Sequence, residues 1–200
     1  MQLCWYLKDI GRFKGMGMNA VADKFEQFEW LTRGISAKTA NYEPSVAGTG
    51  EKPLNYEDRL GAIATMASQF EKSVTSVIVF GDKSEMDFKY VQSHLALIMA
   101  TNAKLDKRRE PQKISIEDLS LLIARMVIDF SLYPPLENNF TPQGRLYYAG
   151  IRSWQIDVEA YRKTWKQYEN MMVIALEMAI KDAGEAVENY RKNTYKEMKV

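Results

Sequence analysis

Residues 154–179 read WQIDVEAYRKTWKQYENMMVIALEMA, with large or apolar side chains at Trp154, Val158, Tyr161, Trp165, Tyr168, Met172, Ala175 and Ala179. The steps alternate between four and three residues, which places all of these side chains on one face of an α-helix. The stretch predicts a single long C-terminal helix, with Ser153 as its cap. Its seam is aromatic at the start and alanine-rich at the end. A dedicated coiled coil prefers Leu, Ile and Val there, so the seam reads first as the spine of an intramolecular bundle. A surface for self-association or for a partner helix is the second reading. Met171 to Ile180 is apolar nearly all round, which predicts burial on more than one side, and Glu177 interrupts it well short of a membrane span.

Upstream, the same helical spacing recurs. Val21, Phe25, Phe28 and Thr32 predict a helix over 19–33 that stops at Gly34. Residues 35–54 hold two prolines and two glycines among small polar residues and read as a long loop. Asn55 can cap a second helix carrying Leu60, Ile63, Ala64, Ala67, Phe70 and Val74. Val77 to Phe80 would suit a buried strand, but no second strand exists to pair with it, so helix is preferred. Ser84 opens a third helix through Val91, Leu95 and Met99, and Ser115 with Asp118 caps a fourth that ends at Pro134-Pro135. Thr141-Pro142 begins a short helix ahead of the long one. The expected fold is all-α, one bundle-like domain over 18–200 of roughly five to seven helices. Residues 1–17 are expected to be an N-terminal extension or arm, without a signal-peptide core.

Composition narrows the function without naming it. The chain has 200 residues, 46% of them apolar and 26% charged, and a net charge of +1. That is an ordinary globular balance, and any contact with nucleic acid must come from a local patch rather than the whole-protein field. Cys4 is the only cysteine, so no internal disulfide can form and a cytoplasmic setting is the simpler expectation. His94 is the only histidine, which excludes multi-histidine metal sites, and its place between Val91 and Leu95 reads as structural. No serine-hydrolase elbow occurs, and Gly81-Asp82-Lys83-Ser84 lacks the glycines of a phosphate loop. We therefore expect no catalytic set, no metal and no cofactor.

Two candidate surfaces remain. The aromatic end of the seam, Trp154, Tyr161, Trp165 and Tyr168, is the expected partner-binding face of a non-enzymatic interaction or regulatory protein. A protein partner or self-association is favoured and no membrane is expected. The alternative is a DNA-binding transcriptional regulator with a helix-turn-helix-like segment near 141–168, turning at Gly150. Its phosphate- and base-contacting residues would be Arg145, Arg152, Ser153, Gln155, Arg162 and Lys163, joined by the basic run Lys107, Arg108 and Arg109. Against it, that motif would bury Arg145 and Glu159 and would turn Trp154, Val158 and Tyr161 towards DNA. No aromatic residue interleaves the basic run in sequence, so strand stacking finds no support there.

Overall fold

A computed structural model of the chain describes residues 19–32 and 56–197. The expected arm at 1–17, the Gly34 stop, the 35–54 loop and the Asn55 cap lie outside the described residues. The fold is all-α, and the described residues contain no strand. In chain order the helices are α1 (Asn19–Thr32), α2 (Tyr56–Ala64), α3 (Gln69–Phe80), α4 (Glu85–Leu105), α5 (Ile116–Leu132), the short α6 (Pro134–Glu137) and α7 (Pro142–Ala149). The long C-terminal helix α8 follows as three contiguous stretches: Val158–Ala160, a π turn at Tyr161–Trp165, and Lys166–Glu197. None of the described helices is long and apolar enough to cross a membrane. The described residues divide into two compact units, one of residues 19–32, 56–84 and 181–197, the other of residues 85–180.

In the first unit, α1 buries Phe25, Phe28, Trp30 and Leu31, and α3 buries Val74, Val77, Ile78 and Val79. The Val77–Phe80 run is thus helix, as the missing strand partner required. Helices α2 and α3 do not form the one continuous helix that the spacing through Val74 suggests. Ser68 breaks it: its Oγ accepts the Glu71 N–H at 3.1 Å, while the Glu71 carboxylate accepts the Ser68 hydroxyl at 2.7 Å and the Ala67 N–H at 3.1 Å. This capping box satisfies helix-end donors that a continuous helix would not expose. In α2 the mid-helix glycine has a steric reason, because a Cβ on Gly61 would run into the Tyr190 hydroxyl.

The second unit is built on an antiparallel hairpin of α4 and α5. Lys104 Nζ meets Glu117 Oε1 at 2.5 Å near the turn, and Gln92 Nε2 donates to the Leu121 carbonyl at 3.0 Å further along. Val91, Leu95, Met99 and Ala103 are buried on α4, and Leu119, Ile123, Met126 and Val127 on α5. The expected cap is present: Ser115 Oγ accepts the Asp118 N–H at 3.0 Å. Pro134 begins α6 instead of a plain loop, since proline is acceptable in a first turn. Helix α7 starts at the Thr141 cap and lies on α5 through stacked rings, Tyr148 on Phe130 with centroids 5.2 Å apart.

Helix α8 corrects the seam in two places. Its cap is Asp157, whose side chain accepts the Glu159 N–H at 3.0 Å, and Ser153 lies before the helix. Trp154 is therefore not a seam residue. The buried line runs Tyr161, Trp165, Tyr168, Met172, Leu176, Ala179 and Ile180. Nor is the middle of α8 buried all round: Met171, Ile174 and Met178 are exposed at 41%, 59% and 59%.

Candidate functional site

The loop after α4 is held in one conformation by backbone and side chain together. The Arg108 N–H bonds to the Ala103 carbonyl at 2.9 Å and the Lys107 N–H to the Lys104 carbonyl at 3.0 Å. This paired pattern is a Schellman motif, and its left-handed position is filled by Lys107 with φ 51°. From below, the Tyr168 hydroxyl donates to Asp106 Oδ2 at 2.6 Å and accepts from Arg108 Nε at 2.9 Å. The Tyr168 hydrogen bond also raises the Arg108 pKa above its already high ordinary value. Lys104 is occupied by Glu117. The side chains of Lys107 and Arg109 carry no hydrogen bond or ion pair to any described residue, and both are exposed.

The opposite wall is the segment between α7 and α8. Helix α7 also ends in a Schellman motif, here with Gly150 at φ 94°, its N–H bonded to the Tyr147 carbonyl and the Ile151 N–H to that of Leu146. Buried Ile151 and Ile156 anchor the segment at both ends, and Gln155 Oε1 accepts the Arg152 N–H at 2.9 Å. The tight turn between these anchors pushes Trp154 outward, where it is 62% exposed. Between the two walls lies a cleft of about 650 Å³, lined by loop residues 106–109 and 111–113 and by Trp154, Gln155, Asp157, Thr164 and Trp165. That volume is in the range of ligand pockets. Lys113 Nζ sits 5.3 Å from the Trp154 ring centroid. Trp154 also lines a smaller hollow of about 140 Å³ that includes Tyr147, Arg152 and Ser153. There the Arg152 guanidinium lies 4.2 Å over the centroid of the exposed Tyr147 ring.

Behind the cleft, a buried carboxylate fixes the start of α8. Glu169 is 1% exposed; its Oε1 accepts from Arg145 Nη2 and Lys166 Nζ, each at 2.6 Å, and its Oε2 accepts the Tyr161 hydroxyl at 2.6 Å. Arg145 also pairs with Glu137. Burial first, then the adjacent Glu169 charge, drives the Tyr161 pKa far above the phenol range, so this hydroxyl remains a donor. The ring of bonds surrounds the π turn, in which the Lys166 N–H reaches the Tyr161 carbonyl. A single π turn inside an α-helix is a recurrent feature of functional sites. Here it places Thr164 and Trp165 on the cleft wall.

The four residues expected to form a partner face separate by depth. Trp154 is at the surface and Trp165, 4% exposed, lines the cleft from its floor. Tyr161 and Tyr168 are buried, the first bonded to Glu169 and the second to Asp106 and Arg108. Of the residues assigned to nucleic acid, Lys107, Arg108, Arg109 and Gln155 line the cleft, and Arg152 and Ser153 line the adjoining hollow. Arg145 is held in its ion pairs, Arg162 meets Glu159 at 3.4 Å, and the exposed Lys163 lies outside both linings. A helix-turn-helix does not form, because residues 150–157 intervene where that motif has a turn of about three to four residues. The aromatic–basic interleaving that the linear sequence lacks is made in space by Trp154 and Lys113. His94 stacks on Tyr90 at 6.2 Å, and Cys4 lies outside the described residues.

The chain matches no protein-family model, no curated protein and no solved structure.

Proposed function

We propose that this chain is a non-enzymatic interaction protein with a regulatory role in the cytoplasm. It binds an anionic segment of a macromolecular partner in the cleft between loop 106–113 and the Trp154 segment. One observation carries the reading: the Lys107 and Arg109 side chains, with no hydrogen bond or ion pair among the described residues, line the same concavity of about 650 Å³ as the exposed Trp154. Tryptophan and arginine are the side chains most enriched where interfaces draw their energy. A near-neutral chain that concentrates cations at one concave place suits recognition by contact, not by long-range attraction. The lone Cys4, which allows no internal disulfide, supports a reducing compartment.

The test is a photoreactive residue at Gln112, which is exposed and lines the cleft, introduced into the chain in its native cells. Covalent adducts of macromolecular size are expected, and the K107E/R109E variant should lose them. No adducts, or adducts indifferent to that charge reversal, overturns the reading.

A further inference from the structure

We infer that the cleft and the hollow beyond Trp154 form one track for single-stranded nucleic acid, with bases on Trp154 and Tyr147 and phosphates on Lys107, Arg109 and Lys113. The inference rests on the reading of the cleft as an anion-binding surface and names the anion.

The decisive feature is that the two exposed aromatic rings lining the cleft and the hollow, Trp154 and Tyr147, each have their own cation. Lys113 lies over Trp154 at 5.3 Å and Arg152 over Tyr147 at 4.2 Å. Carboxylate side chains answer the cations but do not themselves offer a π face to an indole. A single strand alternates phosphates with π faces and answers both, and each stacked base adds binding whatever its identity. Trp154 and Ile156 line both concavities, so the two adjoin at the exposed indole, and a strand running from one to the other passes beside it. When a phosphate draws Lys113 off the ring, the face it covered opens to a base.

Shape argues against a duplex. Reading a groove requires a protruding helix or ribbon, and here the cations and aromatic rings line hollows. Charge limits the phosphate count. Asp106 and Asp157 also line the cleft, Asp106 accepting the Tyr168 hydroxyl and Asp157 capping α8, so about three phosphates can be neutralised and the salt response is shallow.

The experiment measures anisotropy of a labelled oligo(dT) of about ten nucleotides. Its competitors are thymidine monophosphate, a duplex of equal length and poly-glutamate. The oligonucleotide should bind with a log–log salt slope of about −2. The three competitors should each be at least about tenfold weaker. Trp154→Ala should weaken binding about tenfold and Trp154→Phe should restore most of it, with circular dichroism confirming that both variants fold. Undiminished binding by Trp154→Ala, or an equally effective duplex or monophosphate, overturns the strand track. Tight poly-glutamate binding that K107E/R109E abolishes, without oligonucleotide preference, overturns the inference but leaves the anionic-partner reading standing. If that charge reversal changes binding of neither polymer, the reading falls as well.

Discussion

The Tyr161 hydroxyl donates to Glu169 Oε2 at 2.6 Å across the π turn, so the one buried carboxylate of the second unit's core ties the start of α8 to its continuation. Glu169 has two further donors, Arg145 and Lys166. Removing the carboxylate leaves the buried Tyr161 phenol without its acceptor and Arg145 with Glu137 alone. Glu169→Ala should therefore destabilise the chain by about 3–5 kcal/mol, because three hydrogen bonds to a charged acceptor are lost together. Tyr161→Phe removes one of these hydrogen bonds and should cost only about 1.5–2 kcal/mol. Urea denaturation followed by circular dichroism measures both. Equal losses would mean that the charge at Glu169 is not what the site is built around.

Lys107 occupies a backbone position that glycine fills at far lower cost. Its φ of 51° at the left-handed position of the Schellman motif strains any residue with a Cβ by about 1–2 kcal/mol. At the corresponding position after α7 the chain has Gly150. Lys107→Gly should stabilise the protein by up to about 1 kcal/mol while weakening binding of an anion in the cleft. Opposite signs in the melt and in the binding measurement would identify a strained cation retained for contact. A loss of stability would show instead that the Lys107 side chain supports the loop.

The two tryptophans of the cleft should behave in opposite ways. Trp165 is 4% exposed, and Trp165→Ser removes a large core side chain at a cost of about 3–5 kcal/mol. Trp154 gives up little more than the Lys113 contact, so Trp154→Ser should change stability by less than about 1 kcal/mol. Thermal melts separate the pair. Unfolding of the Trp154 variant would place that ring in the core and remove it as a contact surface.

The helices were legible because burial imposes a period on the chain. Tyr161, Trp165, Tyr168 and Met172 keep that period, and the Ser115 and Thr141 caps carry their own local chemistry. What misled was a coincidence of spacing: Trp154 and Val158 sit four apart, as seam residues do, but the helix begins only after Asp157. Ser153 and Asp157 both qualify as caps by residue type. The choice falls to Asp157 because buried Ile151 and Ile156 pin the intervening turn, and pinning is a tertiary effect. Glu169 was illegible for a related reason. Beside Tyr168 it reads as a solvated neighbour of the seam, and only the fold brings Arg145 to it from α7. The cleft itself joins residues 106–113 to 154–165, a proximity that no local pattern encodes.

Asp129 gives the second unit a pH response of unusual sign. Burial is the largest influence on its carboxyl and holds it above the ordinary value of 3.8, outweighing the Tyr148 hydroxyl at 2.9 Å and the Arg125 charge, which favour ionisation. The native state thus grips this proton more tightly than the unfolded chain does. The contribution of Asp129 to stability is fullest below the ordinary carboxylate value and declines as pH rises through the higher native one. Asparagine keeps an oxygen to accept the Tyr148 hydroxyl and cannot titrate. The melting temperature of Asp129→Asn, relative to the unsubstituted chain, should therefore climb as pH rises from just below 3.8 and level off towards neutrality. Melts in closely spaced buffers across that window measure it. A difference that falls with pH would mean that Tyr148 and Arg125 dominate, and that Asp129 is an ordinary stabilising carboxylate held by its partners.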